Sequence, residues 1–481
     1  MTAVAHVRGR ILSDIAWPLL VIIAVQAALS TRLIWSNTAF QDEALYLWAG
    51  HLEFAHWFYG TRVPAFAAYF SGAPVIYPVV GAVADTIGGL AAARMVSLAF
   101  MLGATALLWG TTSRLYGRRA AFVAAALWSL LGPVIRLGAF ATYDAMSLFL
   151  VAFAAWCATS RRGQQNATRQ IITAAATLTL ANATKYASVI FDPAVIALAV
   201  AAGWPEPGGK HAWRRGALLF YWVVVATIVL LQFGQGEYLQ GIDQTTLDRP
   251  GGAVSMGTIF GSSVSWVGLI LLLAAVTALA AIRDRANRVI IGVLLGTGLL
   301  PTLWQARIHT LTSLNKHVAF GAWFAAIAVG YGGDRAYGWL RDRPRIQLRV
   351  PVALSVPLAL IPLGAFGLHQ AEGFFAWPGV GNLVPVLRAA ATPGARYLTD
   401  TPPSLQYYLP GTTWHQWTSL TGEPSQAEVA LRRHSYTLVI LDGTDETNDI
   451  TATGYRQVAT VPYSGPDHRG SYRILEYVSR G

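Results

Sequence analysis

Cysteine is nearly absent: Cys157 is the single one in 481 residues and lies inside an apolar run. That excludes a disulfide framework or a thiolate metal site within the chain, and leaves Cys157 as a small core hydrophobe. Charge is scarce as well. Only 12% of residues are charged against 54% hydrophobic, and the mean hydropathy of +0.44 excludes an ordinary soluble protein of this length and reads as a polytopic membrane protein. The 35 Lys and Arg against 24 Asp and Glu are scattered between apolar runs and form no basic face, so nucleic acid is not the partner this charge implies. No glycine-rich phosphate loop follows a strand in the membrane part, no internal repeat is visible, and the inverted symmetry of transporters is missing. A cleavage pattern is missing after the run Ile15 to Leu29, which reads as a first membrane anchor.

What the chain has in quantity is apolar runs of the roughly 17–25 residues that cross a bilayer as helix. They fall near 15–34, 87–110, 119–137, 143–159, 169–184, 186–203, 216–233, 262–282, 288–304, 317–333 and 350–368, which predicts about eleven spans. Basic residues decide the orientation. Arg8, Arg10, Arg114, Arg118, Arg119, Arg161, Arg162, Arg169, Lys210, Arg214, Arg215, Arg283, Arg285, Arg288, Arg335, Arg341, Arg343, Arg345 and Arg349 fall on one set of connections. The alternate set holds only Arg32, Arg62, Arg136, Lys185, Arg249, Arg307 and Lys316. The positive-inside rule then puts the N-terminus in the cytoplasm and the C-terminus outside.

Beyond His369 the apolar runs stop, and β-type segments such as ARYLTD, YTLVILDG, YRQVATV and SYRILEYV alternate with turns. The expected division is a transmembrane domain over 1–369 and a small extracytoplasmic α/β domain over 370–481. The first outer segment, about 35–86, is half apolar. Its HWFYG, AYF and VIYP stretches read as interfacial helices with aromatic anchors.

That segment opens with AFQDEALYLWAGHL, where Leu45, Trp48, Ala49 and Leu52 keep helical spacing and Asp42 and Glu43 fall in the first turn. Carboxylates are favoured there by the helix dipole alone. A functional reading gains from what the topology puts on the same side: Asp144 in TYDAMSLF, Lys185 in NATKYASV, and Arg307, His309, Lys316 and His317 around one outer turn. Each could be an interfacial anchor, yet ionisable residues at membrane depth are costly and mark functional paths. Acids with bases suit group transfer from a lipid phosphate. A carboxylate removes the acceptor hydroxyl proton, and cations hold the departing phosphate.

These residues resemble the polytopic membrane glycosyltransferases of the C-type (GT-C) fold, in the branch of the bacterial protein-mannosyltransferases and aminoarabinose transferases. The resemblance rests on Asp42-Glu43-Ala44-Leu45-Tyr46, Arg94 in AAARMVSLAFMLG, Asp144 in TYDAMSLFL, and Lys185-Tyr186, in that order over about residues 10–200. It implies an inverting enzyme that moves a sugar, mannose or a pentose, from a polyprenyl-phosphate donor to a lipid, glycan or protein hydroxyl outside the cell membrane. Asp42, Glu43 and Asp144 would be the catalytic residues: Asp42 the base, Glu43 its neighbour positioning acceptor or donor, and Asp144 helping to shape the acceptor or metal region. Lys185 and Arg94 would serve the donor phosphate, and Arg307, His309 and Lys316 join them by position only. Arg94 also reads as a buried ion-pair partner. The resemblance fixes no cofactor and leaves a divalent metal ion open: Asp42, Glu43, Asp144 and His56 offer oxygen and nitrogen donors without close ligand spacing. The paired proline common after the family's acidic loop is replaced here by the isolated Pro64, Pro74 and Pro78. The rival reading is a transporter or lipid-carrier flippase, which predicts ionisable residues at the bilayer midplane.

Overall fold

The computed structural model describes residues 17–160, 164–204, 210–233, 236–342, 352–390, 392, 394–420, 429–443, 450, 453–464 and 469–477. Arg8, Arg10, Arg161, Arg162, Arg343, Arg345 and Arg349, used above for orientation, lie outside them. Every expected span contains helix. In chain order the helices are α1 (Trp17–Thr31), α2 (Gln41–Tyr59), α3 (Tyr77–Tyr116), α4 (Arg118–Ser129), α5 (Gly132–Leu137), α6 (Tyr143–Ala158), α7 (Gln164–Thr184), α8 (Asp192–Gly203), α9 (Lys210–Phe233), α10 (Gly236–Ile242), α11 (Met256–Ala280), α12 (Arg288–Arg307), α13 (Leu314–Arg341), α14 (Val352–Gly373), α15 (Leu383–Ala390) and α16 (Pro402–Tyr408). Among the described residues, five helices are long and apolar enough to cross a membrane. Residues 119–137, expected as one span, form two helices, because Gly132-Pro133 opens α5 and proline cannot continue a preceding helix.

Two compact units emerge. The first comprises residues 1–33, 64–77 and 94–371, and the second 34–63, 78–93 and 372–481. The second unit thus joins the chain from Glu372 onward with α2 and the start of α3.

In the first unit α13 is the central element. Its residues from Val318 to Tyr331 are buried all round, the mark of a helix surrounded by protein. Small residues permit this: Ala319, Ala322, Ala325 and Ala326 are fully buried, and membrane helices associate through close packing of small side chains because lipid supplies no hydrophobic drive between them. The two large indoles set into this region satisfy their donors. Trp128 Nε1 donates to the Ala319 carbonyl and Trp323 Nε1 to that of Ala104, both at 3.1 Å, so neither leaves an N–H stranded in an apolar interior.

The second unit carries a five-stranded mixed sheet. Its strands are β1 (Tyr397–Thr399), β2 (Trp417–Ser419), β3 (Leu438–Asp442), β4 (Tyr455–Ser464) and β5 (Arg469–Tyr477), in the order β2-β1-β3-β5-β4. β1 runs parallel to β2 and β3, with Tyr397 opposite Leu438; β5 runs antiparallel to β3 and β4. Both faces of β3 are covered: Leu438 and Ile440 pack into one apolar cluster, and Val439 and Leu441 into another. A strand buried on both faces reads as a continuous apolar run, which is why LVIL is legible. Four strands occupy the expected segments, while β2 lies where no strand was expected. In the same unit α3 breaks at Gly88-Gly89, where Gly89 adopts φ 64° and ψ −164°, a conformation essentially closed to residues with a Cβ.

Candidate active site

The first unit assembles a buried ionic group. Asp144 stands in the first turn of α6 with no solvent exposure. Lys185 Nζ lies 2.5 Å from its Oδ1, Lys316 Nζ 3.8 Å from its Oδ2, and the Thr142 hydroxyl donates to Oδ2 at 2.9 Å. Lys185 is placed by local chain geometry. It is an extended residue where α7 ends, and it is flanked by two strand-like hydrogen bonds: the Ala73 amide donates to the Ala183 carbonyl at 2.8 Å, and the Tyr186 amide to that of Ser71 at 2.9 Å. Gly72 makes this close approach feasible, since a Cβ there would overlap the Thr184 carbonyl. Lys316 comes from the first turn of α13.

Aromatic rings complete the surroundings. Lys185 Nζ sits 4.9 Å from the Tyr143 ring centre, while Lys316 and the buried Arg136 both address Phe140, at 5.4 Å and 4.5 Å. Cations over ring faces retain attraction where water is excluded. Of the expected site residues, three meet here, Asp144, Lys185 and Lys316. Sequence reasoning missed Thr142 and the aromatic supports, and counted Arg136 only as a loop charge; one threonine and two aromatic positions beside a lone acid carry no distinguishing signal.

The other cations expected on this side behave differently. Arg307, exposed at the end of α12, lies over Trp304 at 5.4 Å. His309 is a structural clasp: its φ is 51°, its Nδ1 is 3.1 Å from the Val254 carbonyl, and its own carbonyl accepts from the Val254 amide at 3.0 Å. His317, by contrast, stays within charge range of Asp144, Lys185 and Lys316, with its Nδ1 3.2 Å from Nε2 of the buried Gln305. Arg94 is fully buried. No three His, Cys, Asp or Glu side chains gather in metal-ligand geometry among the described residues.

The second unit holds the acid pair, and the pair divides. Glu43 has no solvent exposure, and its Oε2 accepts the Phe40 amide at 3.0 Å, satisfying one of the donors a helix start leaves unpaired. Asp42, one residue earlier, is half-buried. At the other end of α2, Gly60 closes the helix in the left-handed conformation, and Trp57, Phe58 and Tyr59 are exposed in the manner of interfacial anchors.

A cluster that sequence reasoning did not single out lies further along. Asp85, near the start of α3, accepts from His51 Nε2 and from the Tyr407 hydroxyl, one on each carboxylate oxygen and both at 2.6 Å. Burial raises the Tyr407 hydroxyl well above the usual phenol range, and the bond to Asp85 raises it further. The signal available was Asp85 itself, a carboxylate isolated in the apolar stretch GAVADTIGG.

A helical membrane unit with ionic groups, joined to a small mixed-sheet domain, is the architecture of the C-type membrane glycosyltransferases, and the solved structures bear this out. The chain is similar to ArnT from Cupriavidus metallidurans bound to undecaprenyl phosphate, with a TM-score of 0.65 at 14% identity over 96% of this chain and 98% of that one. It is also similar to the archaeal oligosaccharyltransferase AglB from Archaeoglobus fulgidus in complex with an inhibitory peptide and a dolichol-phosphate, with 0.60 at 13% over 95% and 76%. For the arabinofuranosyltransferase AftD from Mycobacteria the figures are 0.51 at 14% over 94% and 41%. At such identities the likeness establishes the fold. In sequence, residues 74–231 match the family model of dolichyl-phosphate-mannose-protein mannosyltransferase, and no curated protein matches the chain.

Proposed function

We propose that this protein is a membrane glycosyltransferase that moves a sugar from a polyprenyl-phosphate carrier to an acceptor hydroxyl with inversion at the anomeric carbon. The observation that carries the reading is the buried group in which two lysines share the single carboxylate of Asp144. Burying charge costs several kcal/mol per ion, and such an arrangement in an apolar helical unit fits the recognition of an anionic head group. The family-model match supports mannose as the sugar; a pentose is the other candidate. The undecaprenyl phosphate of the ArnT structure and the dolichol-phosphate of the AglB structure support a polyprenyl carrier.

In the step itself, Asp42 takes the proton of the acceptor hydroxyl as its oxygen attacks the anomeric carbon. The bond from that carbon to the phosphate oxygen breaks, and its electron pair leaves with the carrier phosphate. Lys185 and Lys316 stabilise the charge growing on that phosphate, and Asp144 holds both ammonium groups in place. Glu43, committed to the helix start, orients the chain at Asp42. Arg307, Arg94 and His309 take no assigned part in the step. The asymmetry of basic residues supports a cell-membrane protein with the N-terminus in the cytoplasm and the sheet domain outside.

The test is turnover. Purified protein given labelled polyprenyl-phosphate sugar should release free carrier phosphate, and Asp42→Asn should lose transfer while inserting normally. An active Asp42→Asn protein overturns the assigned base. Failure to turn over any donor, with vesicle uptake or lipid translocation in its place, returns the protein to the transporter reading. Because the lysines supply the positive charge, transfer should persist in EDTA; a loss reversed by a divalent cation would assign that ion the phosphate.

A further inference from the structure

We propose that Asp85 is a positioning residue for the acid pair: through His51 and Tyr407 it fixes α2, the helix whose first turn carries Asp42. This rests on the glycosyltransferase reading for its effect on rate, though not for its structural content.

α2 is pinned at two levels. At its start, the segment before Asp42 is tied to residues that follow Glu372. Asn37 Nδ2 donates to the carbonyls of Phe375 and Trp377 at 3.0 and 2.8 Å, the Val380 amide donates to Thr38 Oγ1 at 3.1 Å, and the Ala39 amide donates to the Tyr408 hydroxyl at 2.8 Å. The Phe40 ring meets the Trp377 ring edge-on at 5.1 Å. Nine residues beyond Asp42, roughly 13 Å along a helix, His51 meets Asp85.

The carboxylate is built for two partners. Its side chain is 10% exposed against 40% for His51, and each oxygen serves a different element: Oδ2 faces His51 of α2, and Oδ1 accepts from Tyr407 of α16. Beside it the α2 and α3 backbones approach so closely that a Cβ on Gly50 would overlap the Pro78 carbonyl. Close contact without directional bonds would let α2 slide or pivot; the Asp85 bridge removes that freedom. Tyr407 and Tyr408 are adjacent on one short helix, so α16 holds α2 both at its start and, through Asp85, further along.

A catalytic base must stay within about half an ångström of its productive place, and a misplacement of 1 Å costs on the order of 10²-fold in rate. Asp85→Asn offers only one acceptor oxygen to two donors, and Tyr407→Phe removes one hydrogen bond at nearly constant volume. Both should lower kcat by roughly 10- to 100-fold while leaving KM for the donor within about twofold and the unfolding temperature close to wild type. His51→Gln, whose amide nitrogen can still donate to Asp85, should retain most of the rate that His51→Ala loses.

Amide hydrogen exchange separates this inference from the reading beneath it. In Asp85→Asn, exchange at residues 40–46 should quicken by about tenfold, with exchange at 318–331 unchanged. If wild type transfers no sugar, the function reading fails and the exchange still decides the positioning claim. Unaltered exchange at 40–46, or wild-type kcat in both Asp85→Asn and Tyr407→Phe, overturns the proposal; should Asp85→Asn not fold, Tyr407→Phe carries the same two readouts.

Discussion

Asp144 and Asp42 both occupy the first turn of a helix, and there the likeness ends. Asp144 has no exposure and both of its oxygens are engaged, by Lys185, Lys316 and Thr142. Asp42 is half-buried, and its neighbour Glu43 accepts the Phe40 amide at the helix start. A carboxylate already surrounded by cations is a poor proton acceptor, because its neighbours stabilise the charge it would give up. On the proposed mechanism the same side-chain chemistry divides into a charge that organises, Asp144, and a charge assigned to react, Asp42, and the two environments differ accordingly.

Exchanging the charges should expose this contrast most strongly. Asp42→Asn is expected to lower transfer by roughly 10²–10⁴-fold, the usual worth of a general base, with thermal unfolding unmoved. Asp144→Asn should do the reverse at the level of folding, because two buried ammonium groups lose their counter-charge, at about 3–5 kcal/mol. Thermal unfolding in detergent alongside transfer assays reads both. Equal unfolding temperatures for the two variants would show that Asp144 is no organiser.

The partner of Asp144 sharpens the same point. Lys185→Met should destabilise by less than Asp144→Asn, because Lys316 remains 3.8 Å from the carboxylate. In the double variant Asp144→Asn with Lys185→Met, the loss should fall short of the sum of the single losses by about 0.5–3 kcal/mol, the range for residues in direct contact. Strict additivity would mean that the short contact contributes nothing to folding.

The two carboxylates were not equally legible in the sequence. Asp144, Lys185 and Lys316 stand out as charges within apolar runs, and so does the run of helices that houses them. The division of labour between Asp42 and Glu43 was visible only as their angular separation on a helix. What the sequence could not carry was the second unit: residues 34–63 and 78–93 join residues 372–481, and pairings such as Ala39 with Tyr408 or Asp85 with Tyr407 span more than 300 positions. Local periodicity has no access to such contacts. Gly132-Pro133, by contrast, was a readable break that hydropathy alone overran, since apolar residues lie on both sides of it.

The backbone break in α3 gives a smaller effect of a different origin. A Cβ at Gly89 would meet nothing within 4 Å, so Gly89→Ala carries no steric clash and its cost is torsional, about 1–3 kcal/mol for a side chain forced into this region. Gly88→Ala, at φ −151°, carries no such torsional cost but sets its Cβ 3.0 Å from the Ala92 Cβ, and relieving that contact should cost less than the torsion at Gly89. Equal losses at the two positions would remove the reason for glycine at the second.

The smallest effect concerns a third carboxylate on α2. Glu53 is 7% exposed, and burial raises its pKa above the ordinary glutamate value, partly offset by the charge of His56. Its position is therefore opposite to that of Asp144, whose charge has two cationic partners. A carboxyl with a raised folded-state pKa binds its proton more tightly when folded than when unfolded. Its contribution to stability is full below the unfolded-state value and is lost as pH rises through the folded one. At neutral pH the ionised Glu53 thus weighs against folding, and Glu53→Gln should raise the unfolding temperature by roughly a degree. Below the ordinary glutamate value both side chains are neutral and the difference should vanish. A stabilisation that persists unchanged into acid would place its cause in packing and not in the charge.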